Sequence, residues 1–224
     1  MAPAENEARR PPTAVIEQYR AVAQCYSASC VFADVQGRRG VMHSGIKPIF
    51  RGKIVGSALT VKLSPGDLQD PLIALDVARP GDVIVVDAGG ETETSVWGGL
   101  MGALCKKRGV VGAIIDGAGR DTDELRGLEF LLFSRAITPR GTHTMFSGRK
   151  DNVLLNVPIV CGGVVVSPGD MIVGDEIGVT VIPHADLESV LKLAREQADR
   201  EEATRREIAK GKTVEQLLAE FGRI

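Results

Sequence analysis

Apolar residues near the start of the chain recur with helical spacing. A later segment has the residue composition of a β-strand. From Val15 to Ala23 the apolar residues fall every three or four residues, which is the spacing of one buried helix face, and Thr13 can cap that helix. A second short helix is predicted over residues 29–36. Residues 52–63 are rich in β-branched and apolar side chains and predict a strand.

The middle of the chain alternates strands and helices. The pattern predicts a turn at 64–67, a helix at 68–78, a turn at 80–82, a strand at 83–86, a helix at 98–107, a strand at 110–115 and a loop at 116–120. Strand, helix and strand in this order form a crossover unit, which favours parallel pairing. Later strands are predicted at 136–138, 158–166, 171–173 and 179–182, with few helices between them. We therefore expect an α/β fold with a mixed or closed sheet.

The tail is predicted to be helical and highly charged. Residues 184–210 begin with apolar positions at helical spacing and become almost wholly charged from Arg195 to Arg206. Thr213 can cap a last short helix. The long helix is either solvated and held by pairs four residues apart, or an arm that crosses onto a neighbouring subunit. We expect a flexible arm over 1–12, one domain over 13–183 and a helical extension over 184–224.

Composition narrows the class of protein. A net charge of -2 and an aromatic content of 4% give no basic or base-stacking surface, so we expect no nucleic-acid partner. No apolar run of 18 residues occurs, which predicts no membrane span, and the first residues lack the apolar core of a signal peptide. The four cysteines form no CxxC pair, as expected of free thiols in a reducing cytoplasm.

Several familiar catalytic motifs are absent. The chain has no GxxxxGK[ST] phosphate loop, no GxSxG elbow and no HExxH, and its three histidines lie far apart in sequence. The segment Val-Val-Asp-Ala-Gly-Gly at 85–90 slightly resembles a nucleotide or S-adenosylmethionine site, but the GxGxxG spacing fails. A methyltransferase is therefore the last of the functions considered.

The candidate chemistry lies between Trp97 and Asp121. Gly98-Gly99-Leu100-Met101 opens a helix, where unpaired N–H groups attract anions and glycine allows close approach of a ligand. Arg120-Asp121 follows the next strand, and the ends of such strands are where α/β proteins gather ligands. A single carboxylate suits Mg²⁺ or Mn²⁺, which keep several waters and take further ligands from a substrate such as a 2-oxo acid.

Three segments together resemble one family. GGLM, then KKRGVVGAIIDGAGRD, then PGDMIVGDEIGVTVIP are similar to the RraA-like proteins, and the resemblance runs from about residue 31 to residue 210. The family includes 4-hydroxy-4-methyl-2-oxoglutarate aldolases, which also decarboxylate oxaloacetate, and regulators of ribonuclease E activity. The resemblance implies a swivelling β/β/α fold, assembled as a trimer or a dimer of trimers with sites near subunit contacts.

The resemblance also implies roles for individual residues. Backbone groups of residues 98–101 would bind the substrate carboxylate, Arg120 would bind substrate and stabilise the enolate, and Asp121 would hold the divalent metal. An acid on the C-terminal helix of an adjacent subunit would contribute as well. The candidates for that acid are Glu196, Glu201 and Glu202.

The chain departs from the family pattern at Gly99, where family aldolases carry an acid that acts through water. Another residue must then move the proton of the 4-hydroxyl in aldol cleavage, and the candidates are Glu91, Glu93, Asp87 and Asp116. Decarboxylation needs no such base, so we expect it to survive better here than aldol cleavage. The first function considered is thus a metal-dependent lyase of 2-oxo acids. The alternative is a non-catalytic regulator that binds a ribonuclease or another protein.

Overall fold

The computed structural model describes residues 9–63, 69–142 and 154–222. In these stretches the helices are Thr13–Val22 (α1), Ala28–Val35 (α2), Gln69–Val77 (α3), Gly99–Lys107 (α4), Thr122–Gly127 (α5), Leu187–Ala209 (α6) and Val214–Phe221 (α7). The strands are Lys47–Pro48 (β1), Ile54–Lys62 (β2), Asp82–Trp97 (β3), Gly112–Gly119 (β4), Leu131–Ile137 (β5), Ile159–Cys161 (β6), Val164–Val166 (β7), Met171–Gly174 (β8) and Val179–Ile182 (β9).

A mixed seven-stranded sheet holds the fold together, in the order β1-β5-β4-β3-β2-β8-β9. The four strands from β2 to β5 are parallel. Antiparallel strands extend the sheet at both edges, β1 beside β5 and β8 with β9 beside β2. The expected α/β fold with a mixed sheet is confirmed.

Both faces of the central strands are buried, because alternate side chains of a strand point to opposite faces. In β3, Ile84 and Val86 belong to a cluster that α3, α4 and α5 cover. Val83 and Val85 face the other cluster, which the β6–β7 hairpin helps to cover. A strand that is buried on both faces has a continuous run of apolar residues, and this explains the sequence VIVV that follows Asp82 in β3.

Two strands are longer than predicted. β3 runs on from the expected 83–86 to Trp97, and β4 runs through the expected loop at 116–120 as far as Gly119. Register shifts after Asp87, Glu91 and Ser95 let β3 keep its pairing with β4 while extra residues bulge out. The segment that follows Asp87 therefore belongs to the sheet and does not end it.

Other predicted bounds also changed. β5 begins at Leu131 and not at residue 136, and α5 was not predicted. The expected strand over 158–166 is a hairpin, since Gly162 and Gly163 take positive φ values of 61° and 77° between β6 and β7. The predicted turn at 64–67 lies outside the described residues.

The tail helix packs against helices of its own chain. α6 buries Leu187, Val190, Leu191 and Ala194 in a cluster that α1 and α2 share, and the Tyr19 hydroxyl donates to the Leu187 carbonyl at 2.8 Å. The predicted cap of α7 is confirmed, since Thr213 and Gln216 form a reciprocal capping box. Contact of the tail with a neighbouring subunit stays a prediction. Among the described residues, no helix combines the length and apolar character that crossing a membrane requires.

Candidate functional site

The predicted binding segment and the charged pair lie side by side at the ends of β3 and β4. Trp97 pairs with Gly119 at the last position of the β3–β4 ladder. The Arg120 N–H then donates to the Trp97 carbonyl at 2.9 Å, so the segments that follow β3 and β4 leave the sheet side by side. Residues separated by more than twenty positions in sequence are in this way brought within hydrogen-bonding reach.

Asp121 lies at the N-terminus of α4. Gly98 is extended, with φ −147° and ψ −172°, and forms the N-cap of the helix. The Gly99 N–H donates to Asp121 Oδ2 at 3.0 Å, and Arg120 Nε lies 3.5 Å from the same oxygen. A carboxylate is favoured here because the first N–H groups of a helix are unpaired and the helix dipole is positive at this end.

The two glycines make room for charged side chains. A Cβ on Gly98 would lie 2.5 Å from Asp121 Oδ2 and 3.2 Å from Arg120 Nε. A Cβ on Gly99 would lie 1.9 Å from Glu124 Oε2. Any side chain at either position would displace these groups, so the glycine pair is what permits the three charged residues to converge. We call residues 98–101 the glycine turn.

The glycine turn also offers N–H donors. Within the part of the chain that the structure describes, no hydrogen bond is donated by the N–H of Leu100 or Met101. Gly99, in contrast, already donates to Asp121. The Leu100 side chain is 77% exposed, whereas Met101 is buried in the core. Two orphan donors of the first helical turn therefore remain for an anion.

Arg120 is held in position without being buried. Its side chain is 45% exposed, and a Cβ on Gly141 would lie 2.4 Å from one terminal guanidinium nitrogen. Gly141 itself forms a bridge with Ser95 of β3. The guanidinium is thus backed by backbone on one side and faces solvent near Asp121.

The donor set fits a loosely held divalent cation. Asp121 is 41% exposed, and only its Oδ2 accepts a hydrogen bond from another described residue. The described residues contain no group of three or more His, Cys, Asp or Glu side chains that could form a closed metal cage. One accessible carboxylate oxygen suits Mg²⁺ or Mn²⁺, which retain waters and accept ligands from the substrate.

Asp116, one of the candidate acids, is already engaged. It is buried, and it accepts hydrogen bonds from Arg135 Nε and, at 2.6 Å, from the Gly162 N–H. The Asp116 hydrogen bond raises the pKa of the Arg135 guanidinium. Asp116 precedes Gly119 by three strand residues, which places it about 10 Å along β4 from the glycine turn. It ties β4, β5 and the hairpin together.

The other three candidate acids, Asp87, Glu91 and Glu93, lie on β3. Asp87 and Glu91 have partners nearby in sequence, and Glu93 lies in the bulged part of the strand. Asp87 pairs with Asp116 in register and accepts from the Gly89 N–H at 3.0 Å. Glu91 accepts from the N–H groups of the residues two and three positions after it, at 2.6 and 3.0 Å. Glu93 is exposed. None of these contacts brings a carboxylate onto Gly98 or Gly99.

The candidates on α6 lie beside other helices. Glu201 accepts from Gln197 and Arg205, and Glu202 pairs with Arg205 and borders a cavity of about 280 Å³ between α1 and α6. Glu196 is exposed. Because α6 packs chiefly on α1, α2 and α7, it is not among the elements that build the glycine turn.

Glu124 was missed by sequence reasoning and is a second carboxylate, beside Asp121, that the structure brings onto the glycine turn. It lies on α5, three residues after Asp121. That spacing would have placed both acids on one helix face, had the helix been predicted. The start of α5 was not predicted from the sequence, because it depends on a left-handed backbone at Asp121, with φ 55°.

Comparisons with known proteins identify the family of the chain. Residues 13–181 match the family model described as RraA-like, Aldolase/RraA. A Halalkalibacterium halodurans protein, provisionally named 4-hydroxy-4-methyl-2-oxoglutarate aldolase, is 37% identical over 195 residues, which are 87% of this chain and 88% of that protein.

Solved structures share the fold. An uncharacterized Pseudomonas syringae protein superposes with a TM-score of 0.79 at 28% identity, over 94% of this chain and 95% of that one. Streptomyces coelicolor RraAS2, described as an unusual member of the RNase ES inhibitor RraA protein family, superposes with a TM-score of 0.72 at 26% identity. That match covers 88% of this chain and 98% of RraAS2.

Proposed function

Because the chain belongs to the RraA-like family, we propose that it is a divalent-metal-dependent carbon–carbon lyase that acts on 2-oxo acids. Its reactions would be aldol cleavage of a 4-hydroxy-2-oxo acid, decarboxylation of oxaloacetate, or both. Each passes through a pyruvate enolate. The aldolase name of the Halalkalibacterium relative supports this proposal.

One observation carries the proposal: the Gly99 N–H holds the Asp121 carboxylate at 3.0 Å, with Arg120 beside it, at the start of α4. Binding a 2-oxo acid requires donors for its carboxylate and positive charge at its keto oxygen. The open N–H groups of Leu100 and Met101 supply the first, and Arg120 supplies the second.

Each group has a defined part in the chemistry. The substrate carboxylate would accept from the N–H groups of Leu100 and Met101, which fixes the keto group toward Arg120. As the carbon–carbon bond breaks, its electron pair moves into the enolate, and Arg120 stabilises the negative charge that develops on the C2 oxygen. Mg²⁺ or Mn²⁺ held by Asp121 would supply Lewis-acid polarisation of the keto group.

We also place the site at a contact between subunits of a homotrimer or a dimer of trimers. Leu100 and Leu104 of α4 are 77% and 45% exposed and lie one helical turn apart, so a partner surface on this face would bury both. An acid from α6 of the neighbour, Glu196, Glu201 or Glu202, could then reach the site. Sedimentation analysis with Leu100→Glu, expected to dissociate the assembly, tests this placement.

Pyruvate release tests the function directly. Wild-type protein would be assayed on oxaloacetate and 4-hydroxy-4-methyl-2-oxoglutarate with Mg²⁺, with Mn²⁺ and with EDTA. Asp121→Asn should greatly reduce the metal-dependent turnover while the melting temperature changes little, because Asp121 is 41% exposed and asparagine tolerates its left-handed backbone. Equal turnover in EDTA, or in Asp121→Asn, would contradict the proposed role of the metal.

A second candidate function is a regulator that binds a ribonuclease or another protein without catalysis. The likeness to Streptomyces RraAS2, a member of an RNase ES inhibitor family, and the exposed Leu100 support it. Absence of turnover with every substrate, together with protein binding that EDTA does not affect, would favour the regulator over the lyase.

A further inference from the structure

Glu124 lies over the glycine turn and has no role in the binding arrangement proposed above. A Cβ on Gly99 would lie 1.9 Å from its Oε2, 2.2 Å from its Cδ and 2.9 Å from its Cγ. The carboxylate therefore occupies the space that a side chain at position 99 would fill. Gly99 itself has no positive φ, so its backbone would accept another residue, and the Glu124 side chain is what keeps the position small.

The local structure of α5 explains how Glu124 reaches that point. Asp121 is the N-cap of α5 and Glu124 is its third helical residue, so the two carboxylates share one face of the first turn. Glutamate at this position commonly turns back to the N–H of its own N-cap. Here it extends instead across to α4.

The Glu124 carboxylate is free to meet a ligand. It is exposed, and it forms no hydrogen bond or ion pair with the residues at 9–63, 69–142 and 154–222. The other groups around the turn are already engaged or cannot accept a proton. Asp121 accepts from the Gly99 N–H, Arg120 is cationic, and the open N–H groups are donors.

Aldol cleavage needs a proton acceptor that decarboxylation does not need. The 4-hydroxyl must lose its proton as the C3–C4 bond breaks, and a positioned base contributes typically about 10²–10⁴-fold to such a step. Asp116 is bound to Arg135, and Glu91 accepts from backbone N–H groups of its own strand, so neither is aimed at this turn.

Building on the proposed lyase function, we propose that Glu124 is the general base of aldol cleavage and stands in for a side chain at position 99. The Glu124 carboxylate takes the 4-hydroxyl proton, and the O–H electron pair forms the C4 carbonyl. The C3–C4 bond breaks and its electron pair forms the enolate. Glu124 then returns the proton to C3, which gives pyruvate and a second carbonyl compound, so atoms and charge balance.

The assay compares two reactions in one protein. Glu124→Gln keeps the shape and removes the base, so aldol cleavage of 4-hydroxy-4-methyl-2-oxoglutarate should fall about 100-fold or more in kcat. Oxaloacetate decarboxylation should stay within about threefold of wild type. Asp123→Asn is the matched control, because Asp123 is an exposed acid of the same helical turn, whereas the three atoms nearest a Cβ on Gly99 all belong to Glu124. Both reactions should be unchanged.

A swap of the acid tests the position and not only the residue. Glu124→Ala should lose aldol cleavage, and adding Gly99→Asp, for which the vacated space gives room, should restore part of it. Gly99→Asp alone should fail to help, since its side chain collides with Glu124. No restoration in the double variant, or an unchanged aldolase rate in Glu124→Gln, would overturn the assignment.

Measurement of metal affinity distinguishes a general base at position 124 from a metal ligand at that position. Mn²⁺ affinity of Glu124→Gln, measured by electron paramagnetic resonance titration, should equal that of wild type, as should binding of oxalate, a planar analogue of the enolate. Weakened Mn²⁺ binding with equal loss of both reactions would refute the base and leave the lyase standing. Failure of wild type to turn over either substrate would refute the lyase function and the base with it.

Discussion

Replacing Gly98 with alanine probes the geometry on which the site depends. The residue is extended, with φ −147° and ψ −172°, so alanine fits the backbone without strain. Its methyl group, however, would lie 2.5 Å from Asp121 Oδ2 and 3.2 Å from Arg120 Nε. The carboxylate must therefore move.

The size of the effect follows from these distances. Relief of the 2.5 Å contact requires the carboxylate to shift by at least about 0.5 Å, which stretches the 3.0 Å bond from the Gly99 N–H to the limit of a hydrogen bond. A hydrogen bond to a charged group contributes about 1.5–3 kcal/mol. Since about 1.4 kcal/mol is a factor of ten, we expect kcat/KM to fall by roughly 10- to 100-fold.

The assay is metal-dependent pyruvate release from oxaloacetate, with Mn²⁺ affinity measured alongside. Gly127→Ala is the control, because nothing lies within 4 Å of the added methyl group at that end of α5. Both variants should melt within a few degrees of wild type. Full activity and unchanged Mn²⁺ affinity in Gly98→Ala would refute the claim that the glycine exists to admit Asp121.

Two further predictions concern stability and thiol chemistry. Asp116→Asn removes the charged partner of Arg135 and should lower the free energy of unfolding, measured in urea, by about 1–3 kcal/mol. The loss is smaller than for a fully buried pair because Arg135 is 23% exposed. An unchanged urea midpoint would contradict this prediction. Burial raises the pKa of Cys105 to about 12. Ellman's reagent at pH 8 should therefore modify the exposed Cys30 and leave Cys105 unreacted until the protein unfolds. Rapid modification of Cys105 in the native protein would show that this thiol is not buried.

Elements whose pattern is local were predicted well. The strand expected at 52–63 is β2, the strand expected at 179–182 is β9, and the helix expected at 98–107 is α4. In each case the spacing of apolar residues and the flanking glycine, proline or charged residues are sufficient to predict the element. This is because the periodicity of apolar residues within one segment determines which of its side chains are buried. The helix start at residues 98–101 and the position of Arg120-Asp121 after a strand were predicted for the same reason, and their part in binding stays a prediction.

Features that depend on pairing between distant residues needed the tertiary structure. The bulges that carry β3 on to Trp97 exist only because β4 lies beside it, and no local pattern encodes them. The left-handed Asp121 starts α5 against α4, and this packing alone puts Glu124 over Gly99. The sequence revealed that position 99 lacks an acid; which carboxylate fills that space was decided by how two helices meet across the end of a sheet.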